Sequence, residues 1–312
     1  MKGGYVVTIE QTGSQIVIAA TFFLIPTLGE MVSERSGILN LGVEGMVISG
    51  AAGAFAAAHI TGSLWIGAFV GALVGGVLAL IHAIVTITFK RNQVVSGISL
   101  TILGAGLSSI LGLGLIGVPI VPFGPVAIPG LSVIPVIGPI FFNKNLLVYF
   151  SYVMVPVLWF FLFKTRYGLM IRSVGENPMA AYTQGVDVVR VRYLSVIFGG
   201  MMCGLGGAYL TLAWIPMWVE GITTARGWIV IALVVVGLWH PAGAFVGSYI
   251  FGAFDVLRYT FQPLGVPTAF LNMLPSMSTI LFLVIWGVLL NMQKVKSIVG
   301  APSSLCVPFE TE

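Results

Sequence analysis

The sequence predicts an all-α fold: a polytopic transmembrane bundle of about 8–10 membrane helices, some of them broken or short. Three observations carry this prediction. Only 8% of the 312 residues are Asp, Glu, Lys or Arg, against about 25% in a soluble domain. Hydrophobic residues make up 58% and the mean hydropathy is +1.05, so a water-soluble fold of this size could not cover its surface with charge. The 40 glycines suit helices that approach one another closely in lipid. A soluble enzyme, a nucleic-acid-binding module and a disordered chain are excluded on the same grounds.

A membrane helix needs about 20 mostly apolar residues. Runs that approach this lie at 13–29, 37–58, 64–89, 94–116, 145–163, 194–213, 227–239, 242–257 and 273–290. The first run follows a weakly basic start (Lys2) without a small-x-small cleavage pattern, so it reads as a retained helix and not as a signal peptide. The run 64–89 is about 39 Å long at 1.5 Å per residue. It exceeds a hydrocarbon core of roughly 30 Å and should tilt or protrude. The runs 227–239 and 242–257 are short and separated by His240-Pro241. They read either as thin spanning helices or as two halves of a re-entrant hairpin.

The whole chain, 1–312, reads as one transmembrane domain, oriented by its basic residues. Lys90 and Arg91, then Lys164, Arg166, Arg172, Arg190 and Arg192, then Lys294 and Lys296 form three clusters that should face the cytoplasm. This placement accounts for the net charge of +4 without nucleic acid. Parity then puts the segment 164–193 and the tail 294–312 inside, with Glu30–Ser36 inside and the N-terminus outside. The segment 117–143 falls outside. It holds Pro119, Pro122, Pro125, Pro129, Pro135 and Pro139, with Lys144 at its edge, and reads as an extended loop.

Glycines recur at four-residue spacing at Gly67, Gly71 and Gly75, at Gly200 and Gly204, and at Gly243 and Gly247, the pattern of tight helix packing. The Gly-rich segments 42–53 and 237–252 suggest an internal repeat, though chance similarity in a Gly-rich chain explains them as well. Glu44 lies inside an apolar run with Asn40 four residues before it. A carboxylate at membrane depth needs a partner or a wet cavity. Glu44 therefore either lines a path through the protein or acts as a structural cap, or pairs with Arg35. Asp255 and Arg258 share a helix face, as a local ion pair or part of a vestibule. Trp214, Trp218 and Trp228 flank an external loop at 214–226, as belt residues or as stacking surfaces for a planar solute.

Within 164–193, Asn177 reads as an N-cap with Pro178 at the first helical position, and Gly185 as the stop. A helix of about two turns is expected there, serving as a lid, a loop stiffener or a docking knob. Cys203 and Cys306 lie far apart, and His59, His82 and His240 form no motif with an acidic partner, so no metal site is expected. No Gly-Lys dipeptide occurs, so no phosphate loop of the Gly-x-x-x-x-Gly-Lys-Ser/Thr type is present. No acid/base cluster marks catalytic residues, and few membrane charges are available for ion coupling.

Ser33-Glu34-Arg35-Ser36-Gly37-Ile38-Leu39-Asn40-Leu41-Gly42-Val43-Glu44-Gly45-Met46 resembles the signature of inner-membrane permeases of the ribose and branched-chain amino-acid class of ABC importers. The Glu-Arg-Ser-Gly start and the Glu-Gly-Met end are similar to the nucleoside-uptake branch. Three further stretches agree in order: Gly175-Glu176-Asn177-Pro178 through Gly185; Ala225-Arg226-Gly227-Trp228-Ile229-Val230-Ile231-Ala232 leading to Trp239-His240-Pro241-Ala242-Gly243-Ala244; and Leu274-Pro275. Together they cover roughly 14–293. Met277-Ser278, where an aromatic is expected nearby, and the Pro-rich 117–143 loop depart from the pattern.

The resemblance implies a permease of the bacterial cytoplasmic membrane that moves nucleosides, or ribose or another small solute, by alternating access. Its implied partners are a cytoplasmic ABC ATPase, a second and usually non-identical permease, and an external binding lipoprotein or periplasmic protein. ATP is used by the ATPase, and this chain carries no cofactor. Glu176, Asn177, Pro178, Ala180, Ala181 and Gly185 form the implied coupling helix. Asn40, Glu44, Trp214, Trp218, Arg226 and Trp228 are the candidates for the solute pathway. An ion-coupled carrier and a membrane-embedded enzyme are the rival readings.

Overall fold

The computed structural model describes residues 9–261 and 300–310, with single positions between 270 and 288. Most of the predicted run 273–290, with Leu274, Pro275, Lys294 and Lys296, lies outside the described residues, as does Lys2. The described chain is mostly helical. Helix α1 spans Ile9–Arg35, α2 Val43–Thr61, α3 Leu64–Thr88 and α4 Gln93–Leu111. A short α5, Ile137–Phe141, precedes α6, Leu146–Lys164. Then come α7, Arg166–Glu176, and α8, Pro178–Thr183. Helix α9 spans Val188–Trp214, α10 Arg226–Val236 and α11 Pro241–Phe261. Six of these are long and apolar enough to cross a membrane. The all-α bundle expected from composition is therefore what the chain forms.

Side-chain caps set most of the helix starts, because the first N–H groups of a helix lack partners within it. Asn92, Asn145, Thr165, Asn177 and Asp187 each accept a hydrogen bond from the backbone N–H three residues on. Both α3 and α9 end on a π-helical turn, Ile84–Thr88 and Leu210–Trp214.

Helix α1 is the mast of the bundle. Every residue from Ala19 to Arg35 is buried, on a stretch that is mostly apolar all round to Gly29 and turns polar at Glu30, Ser33, Glu34 and Arg35. It packs along α9 and α11, while α9 also packs along α2 and α3. In contrast, α4 and α6 leave much of their surface exposed, as helices facing lipid do.

The predicted glycine stripes lie where α3, α9 and α2 cross. A Cβ on Gly75 would fall 2.1 Å from the Gly200 carbonyl oxygen, and one on Gly204 2.1 Å from that of Gly71. On α2, a Cβ on Gly50 would fall 2.5 Å from the Gly204 Cα. These helices touch backbone to backbone, and only glycine permits it. The pair Gly243 and Gly247 does not form a third stripe. Gly243 packs against Gly237 across the corner between α10 and α11, and Gly247 meets only the Leu233 and Val236 side chains.

The 117–143 segment is largely irregular, as its prolines require. Two features were not expected: α5, and a two-residue ladder pairing Val126 with Lys144 and Ala127 with Asn143. Lys144 is buried and its ammonium reaches the Ser14 hydroxyl on α1, with burial pulling its pKa down to about 8. The segment 164–193 departs further from expectation. It is not a charged loop holding one short helix; α7 fills its first third. Charge interrupts the apolar run there while leaving an amphipathic helix intact. The run expected at 37–58 is broken too, since residues 36–42 are not helical and α2 begins at Val43.

The α3–α9 contact generates a direct test. Gly204→Val should insert into the membrane but overpack the crossing, at a cost of about 1–3 kcal/mol or more. The expected outcome is a lower midpoint in a detergent thermal-unfolding assay, with little change for Gly106→Val, where a Cβ would meet open space.

Candidate functional site: a capped half-helix and a basic docking end

The break after α1 is built from side chains that satisfy backbone. The Asn40 Oδ1 accepts the Gly42 N–H at 2.9 Å, and the Asn40 N–H donates to Glu30 Oε1 at 3.1 Å. Gln93 Oε1 accepts the Leu39 N–H at 2.7 Å, and the His82 ring bridges the Leu39 carbonyl and the Ser96 hydroxyl. An irregular stretch is tolerated inside a membrane protein only when its polar groups are met in this way. Asn40 therefore shapes the break, with its side chain fully buried.

Glu44 stands in the first turn of α2, buried, and does not pair with Arg35. Its carboxylate accepts the Gly227 N–H at 2.6 Å and the Thr223 hydroxyl at 2.5 Å. Gly227 is the second residue of α10, so one carboxylate sits at the start of two helices, where both dipoles favour negative charge. A Cβ on Gly227 would lie 2.5 Å from Glu44 Oε2, so only glycine admits the carboxylate this closely. Of the two sequence readings, the structural cap is present, but the helix capped is α10 and not α2.

Helix α10 has 11 residues and rises about 16 Å, roughly half of a 30 Å hydrocarbon core. Its far end is anchored at the end of α1. Glu34 Oε2 accepts the Trp239 indole N–H at 2.6 Å, and the Arg35 Nε donates to the Trp239 carbonyl at 2.9 Å. Leu238 and Trp239 turn the chain there with φ of 56° and 52°, a left-handed conformation uncommon for such residues. Helix α10 is thus a half-helix, and α11 runs back from the corner for 21 residues. The runs expected as thin spanning helices or as two halves of a re-entrant hairpin are thus one half-helix and one helix of 21 residues.

The segment leading into α10 does not lie wholly outside the bundle. Ile222 and Thr223 are buried, and the stretch 215–225 descends from the far end of α4, where Glu220 accepts from Ser109 at 2.7 Å. Trp218 is buried with its indole against Gly112. It is a wedge, neither a belt residue nor a stacking surface. Trp228 remains exposed, as a belt residue is. Trp214 carries the Arg226 guanidinium over its ring, 5.2 Å from the centroid, with Phe22 on it at 5.7 Å.

Arg226, the first residue of α10, is buried and lies 3.6 Å from Asp255 Oδ2, while Arg258 lies 3.1 Å from Asp255 Oδ1. The Asp255–Arg258 pair is legible from i,i+3 spacing. The Arg226–Asp255 pair and Thr223 are not, because no local spacing links them. The structure thus brings Glu44, Thr223, Gly227, Arg226, Trp214 and Asp255 together around the α10 start. Trp218 lies apart from them, against Gly112, and Trp228, in the first turn of α10, exposes its side chain. Among the described residues, no three His, Cys, Asp or Glu side chains converge as metal ligands.

At the opposite end, two of the basic clusters meet. Lys90 and Arg192 line one groove with Tyr182, Val188 and Phe309. Helix α8 lies here as expected. Asn177 Oδ1 accepts the Ala180 N–H at 2.9 Å with Pro178 in the first turn. Gly185 has φ of 83°; its N–H donates to Tyr182 and the Val186 N–H to Ala181, a Schellman stop. One expectation is corrected. Ala181 is buried against Val174 and Val188, so it supports α8 from below. The face turned outward is Met179, Ala180, Tyr182 and Thr183, because a six-residue helix on a surface buries one side. Glu176 is exposed beside it and accepts from Ser303 at 2.8 Å.

Residues 13–292 match the family described as branched-chain amino acid transport system / permease component. The chain is 45% identical over 254 residues to TsgC13 of Haloferax volcanii, assigned by name to a glucose ABC transporter, covering 80% of this chain and 77% of that one. It is 34% identical to the nucleoside ABC transporter permease protein NupC of Lactococcus lactis subsp. cremoris, over 89% of this chain and 93% of NupC. Identity is again 34% to the guanosine ABC transporter permease protein NupQ of Bacillus subtilis, over 86% and 91% of the two chains. No solved structure matches the chain. With six helices among the described residues long and apolar enough to cross a membrane, the chain is a multi-pass protein of the cytoplasmic membrane, and it belongs to the branched-chain amino acid transport system permease-component family of ABC transporters.

Proposed function

We propose that this chain is one permease subunit of an importer that moves nucleosides inward by alternating access. The observation that carries the solute class is the end-to-end similarity to two permeases named for nucleoside and guanosine transport. Glucose or a related sugar is the second reading, favoured by the similarity to TsgC13. The chain makes and breaks no bonds. A cytoplasmic ABC ATPase hydrolyses ATP, a second and non-identical permease completes the membrane part, and an external binding protein delivers the solute.

The mechanism follows from the two ends of the molecule. Helix α8 presents Met179, Ala180, Tyr182 and Thr183 at the basic end, which faces the cytoplasm on the positive-inside rule. ATPase closure displaces α8, and α8 rests on α9 through Ala181 and Val188. Helix α9 packs along α1, α2 and α3, so its tilt moves the break at 36–42 and the α10 start. There Glu44, Arg226 and Trp214 frame the path at mid-depth, the place where discontinuous helices form solute sites in transporters.

The function is tested in proteoliposomes holding this chain, the second permease, the ATPase and the binding protein. Labelled guanosine and uridine should accumulate only with ATP, and glucose should not compete. Uptake that persists without ATP under an ion gradient refutes the importer. ATP-driven uptake of glucose alone refutes the nucleoside reading.

Ala180→Arg places a long charged side chain on the outward face of α8. It should leave membrane insertion unchanged and reduce ATPase co-purification at least about tenfold, as desolvated like or unpaired charge at an interface costs several kcal/mol. Normal co-purification moves the docking surface elsewhere.

Glu44→Gln keeps the shape but turns an amide N–H₂ toward one of two donors. Each hydrogen bond to the charged group contributes about 1.5–3 kcal/mol. Uptake should fall about tenfold or more while the protein still inserts, together with a lower thermal midpoint. Unchanged uptake with Gln removes Glu44 from the moving part of the path.

A further inference from the structure

Beyond its last predicted run, the chain returns to α8. Residues 300–310 do not trail away but thread across four elements. The Ser304 N–H donates to the Gly175 carbonyl at 2.9 Å, and its hydroxyl donates to the same oxygen at 2.7 Å. Ser303 donates from its hydroxyl to Glu176 Oε2 at 2.8 Å. Both acceptors lie at the end of α7, just before the Asn177 corner. Further on, the Phe309 ring lies 5.8 Å from that of Tyr182 on α8, and packs beside Val174, Ala181 and Val188.

Arg192 ties this segment to the interior. It is 1% exposed, on α9, and its acceptors come from two directions. Nε donates to the Ser36 carbonyl at 3.2 Å, in the break after α1. The two Nη atoms donate to the Val307 carbonyl and the Ser304 hydroxyl, each at 3.4 Å. A guanidinium has five N–H donors and no acceptor, and leaving them unmet is costly when buried. The tail supplies two of these three acceptors. Gly37 and Gly175 admit the close packing. A Cβ on Gly37, at φ of 91°, would lie 2.5 Å from the Ser304 hydroxyl, and one on Gly175 2.0 Å from the Arg35 carbonyl oxygen.

Without this segment, α8 is weakly held. It has six residues and follows an extended corner at Asn177, with φ of −148° and ψ of 92°. Its inward anchor is Ala181. A force on so short a helix would bend the corner before it reached α9.

We propose that residues 302–309 are a force-transmitting strap. It locks α8, the end of α7, α9 and the break after α1 into one unit, so that displacement of α8 by the ATPase moves the break. Arg192 is the positioning residue that joins strap to break. The proposal rests on the reading of α8 as the ATPase-docking helix.

The test uses the whole importer with two variants, a chain ending at Ala301 and the double variant Ser303→Ala, Ser304→Ala. Spin labels on Thr183 and Lys90, placed through cysteine in a Cys306→Ser background, report the unit independently of solute. Labelled guanosine and ATP hydrolysis in proteoliposomes report coupling. With the strap intact, the label distance should be single and narrow. In the truncated chain it should broaden, with ATPase co-purification and ATP hydrolysis retained and guanosine moved per ATP reduced at least about tenfold. The double variant should give a smaller change in the same direction. A narrow distance and full coupling after truncation overturn the strap. Loss of ATPase co-purification on truncation also overturns it, since the tail then docks the partner and does not transmit. Failure of the underlying reading is distinguishable: there Ala180→Arg co-purifies and transports normally, whatever the truncation does.

Discussion

One carboxylate organises the middle of this protein. Backbone groups that are not met within a helix have no water to turn to in lipid, and a chain that starts a helix at mid-depth exposes several of them. Glu44 meets this constraint for α10 at the Gly227 N–H, and the Thr223 hydroxyl holds its other oxygen. It stands at the start of α2, so the same charge serves two helix dipoles. The half-helix, the descending segment 215–225 and the break after α1 are arranged around it. Arg226 adds the opposite charge at the same level, balanced by Asp255 and stacked on Trp214. A polar layer can therefore exist inside an apolar bundle because each member holds another.

The two ends of α10 are secured by different chemistry. At the start of α10 the fastening is charge against backbone N–H. At the basic end it is Glu34 and Arg35 gripping one tryptophan, through indole N–H and carbonyl. The left-handed turn at Leu238 and Trp239 is strained for such residues and persists because both contacts hold it. The motif Ser-Glu-Arg-Ser-Gly thus joins α1 to the α10–α11 corner, and through Ser36 to Arg192 and the tail. The α10–α11 corner and the tail share this one junction.

Around that polar layer the helices are packed by glycine. The α3, α9 and α2 crossings bring backbone against backbone, so the inner helices form a close unit with α1 enclosed. Apolar side chains stand exposed on the side of α3 away from its glycines, at Phe69, Leu73 and Val77, and over much of α4 and α6.

Composition and the long apolar runs determined the all-α membrane bundle, because a run of about 20 apolar residues meets its own backbone groups in lipid as a helix. Local chemistry was equally legible. The Asn177-Pro178 start and Gly185 stop of α8, the Asp255–Arg258 pair and the glycine spacing all follow from neighbours within a turn or two. Tertiary structure decided the rest, since it depends on contacts between distant residues. Nothing near Glu44 in the chain announces Thr223 or Gly227, 179 and 183 positions away. Trp218 looked like a surface residue until Gly112 opened a place for it, and Ala181 looked outward until Val174 and Val188 covered it. Helix α7 was hidden because its charges sit on one face, and a run of hydropathy averages over faces. The tail offered no periodic signal at all. Its course is set by a buried arginine, whose need for acceptors becomes visible only once the helices around it are in place.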